Sequence, residues 1–170
     1  SRGLGDVYKR QPVYLSLKDP LIVGGDKDTF LDYEETYDEE NEEYGEPEGL
    51  LVEFIDSIRE IDGIYHDFNT EGLISEILEE AMDNGGISAS DLYNIFKESE
   101  SVNYATDDDG NIANHEIFRE AVERTGWDGL IDNEISRFNM KQIQEGDFHV
   151  VAFSPTQIKS VYNKGTWSPN

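Results

Sequence analysis

With 38 Asp and Glu against 13 Lys and Arg in 170 residues, the chain carries a formal net charge of -25, which argues against a protein that grips nucleic acid by its phosphates. Cysteine is absent, so disulfides and thiolate metal sites are excluded and the redox compartment stays open. The length fits one domain with room for a real core, and no apolar run approaches the roughly 20 residues of a membrane span.

Ser1 to Gln11 (SRGLGDVYKRQ) reads as one frame of a transposase-type sequencing adapter, whose mosaic end translates as Asp6 through Gln11. The segment has no apolar stretch of the signal-peptide kind and is set aside from fold reasoning as a processing scar. The expectation is a natural chain that begins upstream, of which residue 12 onward is a piece. From there Val13, Leu15 and Leu17 alternate with Tyr14, Ser16 and Lys18, the period of a half-buried strand. Asp19-Pro20 ends it, and Leu21-Ile22-Val23 continues as a short extended piece before Gly24-Gly25. Asp32 to Glu48 is dominated by acids with Tyr33, Tyr37 and Tyr44 interspersed. Like charges at this density repel, which predicts a solvated loop or mobile insertion.

Residues 50–125 read as helices. Leu51, Phe54, Ile55, Ile58 and Ile61 share one face of a helix stopped by Asp62-Gly63. Leu73, Ile74, Ile77, Leu78 and Ala81 repeat the pattern up to Asn84-Gly85-Gly86. Ser88 and Asp91 have the spacing of a capping arrangement for a third helix that buries Leu92, Ile95 and Phe96. Asn114 is placed to cap a fourth, with Ile117, Phe118, Ala121 and Val122 inward and Gly126 past its end. Between the last two, setting Gly110 at the sixth position of a calcium loop brings Asp107, Asp109 and Glu116 to ligand positions but puts Ala105 first, where a side-chain oxygen is needed. An Asp/Gly turn leading into a helix accounts for the segment better. His66, His115 and His149 form no metal-ligand spacing, and there is neither a Gly-rich phosphate loop nor a nucleophile elbow.

The C-terminal part carries the most distinctive pattern. Phe148 to Phe153 (FHVVAF) reads as a strand with Phe148, Val150 and Ala152 on one face and His149, Val151 and Phe153 on the other. Both faces are mostly apolar, which predicts a strand inside a sheet rather than at its edge. Pro155 breaks it and leads to a polar turn with Gln157 and Lys159, and Asn163 to Trp167 (NKGTW) follows.

Three segments in order, Pro12 to Pro20 (PVYLSLKDP), Thr125 to Ile131 (TGWDGLI) and Phe148 to Trp167 with its Gln-Ile-Lys-Ser, resemble the ADP-ribosyltransferase domain of polyvalent proteins, large multidomain proteins of phages and conjugative elements. The resemblance implies an α+β fold with a split, mainly antiparallel sheet, truncated at its N-terminus. On it, residues 12–170 form a partial domain with an acidic loop (32–48), an inserted helical region (50–125) and C-terminal strands (126–167). It also implies NAD as substrate and no metal. The acceptor is left unnamed, a host protein being one candidate. The setting is the cytoplasm of a bacterial or phage-infected cell, or delivery with a phage particle. Direct nucleic-acid binding and membrane association are not expected.

In that family a glutamate on a late strand bonds the ribose hydroxyl and steadies the oxocarbenium-like transition state as nicotinamide leaves, an electrostatic contribution of the kind that dominates many enzymes. Carried over, its position falls on His149, which offers no carboxylate, with Glu145 and Asp147 just before it as the acids within reach. These three are the candidate catalytic residues. Gln157 and Lys159 are the candidate NAD-contacting pair, though shaping the turn weighs more heavily for both. The family's NAD-holding His or Arg and its Tyr or Ser belong to strands upstream of Val13, so the piece is expected not to transfer ADP-ribose alone. The alternative is a non-catalytic interaction or inhibitor module whose acidic tract binds a basic partner. A calcium-responsive domain is a third and weaker idea.

Overall fold

The computed structural model describes residues 13–134, 149–154 and 157–160. Its elements run β1 (Val13–Leu15), β2 (Pro20–Val23), β3 (Phe30–Asp32), β4 (Tyr37–Asp38), β5 (Glu43–Tyr44), α1 (Leu50–Ile61), α2 (Thr70–Asn84), β6 (Gly86–Ser88), α3 (Ala89–Glu98), α4 (Glu100–Asn103), α5 (Asn114–Thr125), β7 (Gly129–Asp132), β8 (His149–Ala152) and β9 (Ile158–Ser160). The architecture is α+β. No helix among the described residues is long and apolar enough to cross a membrane.

The helices follow the periodicity of the sequence. Leu51, Phe54, Ile58 and Ile61 of α1, Leu73 and Ile77 of α2, Leu92 of α3 and Ile117 of α5 are all fully buried. At their centre Phe54 meets Phe96, Phe118 and Trp127 at centroid separations of 6.1, 6.2 and 6.4 Å, within the range of favourable tilted ring contacts. Stops and caps are local. Asn69 Oδ1 accepts from Gly72 N at 3.0 Å at the start of α2, and Ser88 Oγ accepts from Asp91 N at 3.1 Å at the start of α3. The start of α1 is different, because Gly49 has no side chain to cap it. Asp32 of β3 reaches across and accepts from Leu50 N at 2.9 Å. Gly49 sits at φ 124°, and any Cβ there would collide with the Asp32 carbonyl, so this cap from a neighbouring strand requires glycine.

Several expectations are corrected. Asn114 does not cap α5: Ala113 holds the N-cap position, and the Asn114 side chain is buried with its amide 3.5 Å from the Phe96 carbonyl. The acidic tract is not a loop. Glu34 and Glu48 exchange backbone hydrogen bonds at 2.9 Å, and Gly45 N donates to Thr36 O at 2.9 Å. Tyr37 pairs with Tyr44 in β4 and β5, so backbone pairing holds a hairpin against the charge repulsion. The strand read from Val13 onward stops at Leu15, and the extended piece after Asp19 belongs to a different sheet. That sheet has the order β2-β7-β8, with β2 and β7 parallel and β7 and β8 antiparallel. A parallel pair requires a crossover, and residues 24–128, which contain all the helices among the described residues, supply it. Among the described residues β8 has β7 as its one strand neighbour and stands at the end of the order β2-β7-β8. Its apolar Val151 packs against the helical core.

Truncating Phe54 to alanine is expected to cost about 3–5 kcal/mol, and exposed Met82→Ala less than about 0.5 kcal/mol. Urea unfolding followed by tryptophan fluorescence measures both.

Candidate functional site

The three segments that carry the family resemblance meet in one hydrogen-bonded junction. The carboxylate of Asp128 accepts from Lys18 N at 2.6 Å and from Asp19 N at 3.0 Å, while Asp128 N donates to Asp19 O at 3.1 Å. This ends β1 and turns the chain into β2. From the C-terminal side, Gln157 Nε2 donates to Asp128 O at 2.9 Å, and its Oε1 accepts from Ser154 N at 2.7 Å. Ser16 N donates to Gln157 O at 2.8 Å. Gly129 closes the junction, since a Cβ there would lie 2.8 Å from both a Leu17 methyl and the Val151 carbonyl. Gln157 thus bonds to backbone groups of three segments and shapes the turn. Lys159 lies in β9, in register with Tyr14 of β1.

Beyond the junction, β7 and β8 form the floor of a cavity of about 190 Å³. Side chains alternate along a strand, so Leu130 and Asp132 of β7 share a face, as do His149 and Val151 of β8. The antiparallel register sets Leu130 opposite Val151 and Asp132 opposite His149. Helix α5 contributes His115, Phe118 and Arg119, spaced three and four apart on one face, and α3 contributes Tyr93. Asp132 is 7% exposed, and its Oδ1 accepts from Glu134 N at 2.8 Å. His149 is exposed at the rim.

The cavity perturbs its titratable groups. Burial, then the charges of Asp132 and Glu134, pushes the Tyr93 hydroxyl up to about 12, so it remains a neutral donor near pH 7. Lys97 Nζ lies 4.3 Å from the Tyr93 ring centroid, a cation–π distance. The His115 imidazole is held below its ordinary value, first by loss of solvent on its inner side and then by the Lys97 charge, with Asp132 opposing. The cavity therefore combines an apolar floor, a permanent guanidinium, two imidazoles, a phenol and one buried carboxylate. It can take a flat ring against Leu130 and Val151 and a polar or anionic group at the rim.

Of the sequence candidates, His149 lines this cavity, Gln157 belongs to the junction, and Glu145 and Asp147 lie outside the described residues. Tyr93, His115, Arg119 and Asp132 were not candidates. They come from three elements, and although His115 and Arg119 share a face of α5, no spacing in the sequence joins that face to Tyr93 or Asp132. The Asp107 segment forms a turn in which Asp107 Oδ1 accepts from Asp109 N at 3.0 Å and Asn111 N at 2.9 Å. The Asn111 amide, more than any other group, holds that carboxyl below the usual range. Among the described residues no group of three or more His, Asp or Glu is gathered as metal ligands.

Gln157→Ala removes the side-chain bonds of the junction and is expected to cost about 1–3 kcal/mol, with faster amide hydrogen exchange at Ser154. His115 is expected to titrate below the ordinary imidazole value of about 6.5 in an NMR titration. Because its folded pKa is depressed, the stability tied to its neutral form is complete above the unfolded value and is lost as pH falls through the folded one. Urea midpoints on either side of that window fall less in His115→Gln than in the parent. No family model, no curated protein and no solved structure matches the chain.

Proposed function

We propose that this chain is an ADP-ribosyltransferase-type domain that binds NAD in the cavity between β7, β8, α3 and α5. The observation that carries the reading is the junction: three segments chosen for their motifs alone are tied together through Asp128 and Gln157. The charge pattern supports it further. In a chain of net charge -25, this cavity sets the guanidinium of Arg119 against the single lining acid Asp132, with His115 and His149 beside them as hydrogen-bonding groups, which gives a phosphate one cationic partner. Its volume of about 190 Å³ accommodates a nicotinamide ring with part of its ribose, and the remainder of the dinucleotide would lie across the rim.

In this reading the register opposite His149 supplies the carboxylate that position 149 itself lacks. As the bond between nicotinamide and the ribose anomeric carbon breaks, positive charge develops on the sugar and nicotinamide departs with the bonding pair. Asp132, held in a place with little water, steadies that charge. His149 offers a hydrogen bond to a ribose hydroxyl, and the acceptor attacks the anomeric carbon from the open side, releasing its proton to solvent.

Binding comes before turnover and is the first quantity to measure. NAD titrated into the labelled chain is expected to shift the amide signals of Leu130, Asp132, His149 and Val151, with nicotinamide competing for them. Asp132→Asn and His149→Ala are expected to reduce the effect. A folded chain whose signals at these residues stay fixed up to about 10 mM NAD, where even a millimolar dissociation constant gives near-saturation, would overturn the reading.

A further inference from the structure

The acidic hairpin contains a second cavity, of about 150 Å³, lined by Tyr33, Glu35, Tyr44, Gly45 and Pro47. It shares no residue with the cavity of β7 and β8. From Asp32 to Glu48 the sequence has ten acids and no Lys, Arg or His, and the register sets Asp38 opposite Glu43, a like-charge cross-strand pair that costs stability. The hairpin is nonetheless fixed. Thr36 Oγ1 donates to Glu46 O at 2.9 Å. Asp38 ties the tip by accepting from Glu40 N at 2.9 Å and from the Asn41 side chain at 2.7 Å. Tyr33 is anchored by packing against the helical core. Tyr44 is 76% exposed, yet its ring meets Tyr37 edge-on at 5.0 Å, and it lines the cavity.

Two electron-rich rings and a carboxylate around a small hollow, in a field made by ten acids, match one chemistry. The ring faces attract a cation, and a guanidinium, flat and weakly hydrated, stacks on them better than an ammonium. An anionic occupant is repelled. A neutral one leaves Glu35 and the like-charge strand pair uncompensated. We infer that this cavity binds an arginine side chain from a basic segment of a partner protein, its guanidinium against the Tyr44 ring and paired with Glu35, and the flanking basic residues along the hairpin's acids. Relief of the hairpin's self-repulsion adds to the affinity, and Tyr33 and Pro47 hold the cavity ready before the partner arrives, which limits the ordering cost. This site does not depend on the NAD reading, and either stands if the other fails.

The test uses the full chain, isotopically labelled, and a short synthetic peptide with one arginine between lysines. The amides of Tyr33, Glu35, Tyr44 and Gly45 are expected to shift together and saturate. Tyr44→Leu should weaken binding about three- to tenfold, as loss of one ring contact implies, while Tyr44→Phe, which keeps the ring, should stay within about twofold of the parent. Replacing the arginine by citrulline, which keeps the shape without the charge, should weaken binding by more than about tenfold. Thermal melts confirm that the exposed Tyr44 variants remain folded. Equal affinity of Tyr44→Leu and the parent, or shifts spread evenly over acidic surfaces such as the Glu76 and Glu80 face of α2, would mean charge attraction alone and would overturn the proposal.

Discussion

The arrangement depends on one carboxylate. Asp128 accepts from the amides of Lys18 and Asp19, partners about a hundred residues earlier in the chain, and its own carbonyl accepts from Gln157. Both amides belong to exposed residues between β1 and β2, where water would otherwise serve them, so what the carboxylate adds is a fixed geometry. By satisfying them, Asp128 fixes the angle between two strands that belong to different sheets. It also places Gly129 at the start of β7, in register with Pro20 of β2 and Ala152 of β8. The cavity floor is a consequence of that register, since Asp132 faces His149 because Gly129 faces Ala152.

This dependence divides the folding problem in two. The helices between β2 and β7 start and stop on local signals at Asn69, Ser88 and Gly85, while their packing joins distant turns, as where Phe54 of α1 meets Phe118 of α5. The pairing of β2 with β7 and the bonds of Asp128 to Lys18 and Asp19 are contacts across more than a hundred residues, which carry a loop-closure cost until a compact crossover brings their ends together. The helical region therefore does more than fill an insertion. Its packed core, with Trp127 at one side and Val151 against it, carries β7 and β8 to the place where β2 can pair.

What the sequence made legible follows from the same division. A period of 3.6 with Asp-Gly and Gly-Gly stops is a local signal, and α1, α2 and α3 lie where it puts them. Asn114 misled because capping preference is local while its side chain answered to the buried Phe96 carbonyl. β6 escaped notice because three residues, Gly86 to Ser88, carry no period, and its pairing with β3 is a tertiary fact. The acidic tract read as a loop because charge density speaks to side chains, whereas its hairpin is held by backbone bonds between Glu34 and Glu48. At the site, His149 and Gln157 were visible through motifs. Tyr93, His115, Arg119 and Asp132 were not, because a cavity between a helix pair and a two-strand floor leaves no mark at any fixed spacing.

Charge is distributed as unevenly as the contacts. Arg124 is engaged by Glu60 and Glu120, and Arg59 lies near Asp56 and Glu71, so part of the scarce positive charge is spent within the helical surface. Arg119 instead stands at the cavity with two histidines. With so large a negative surplus, the long-range field repels anions over most of the surface. A site for an anionic substrate must then be short-ranged and enclosed, because at physiological ionic strength charges beyond about 8 Å are largely screened. In the cavity proposed for NAD, Arg119 stands at short range from the floor formed by Leu130, Asp132, His149 and Val151. The hairpin presents the opposite case, ten acids gathered on an exposed element where the field adds to the local attraction for a cation. On the two proposals, the same net charge would leave the first site to act at short range and the second through its exposed field.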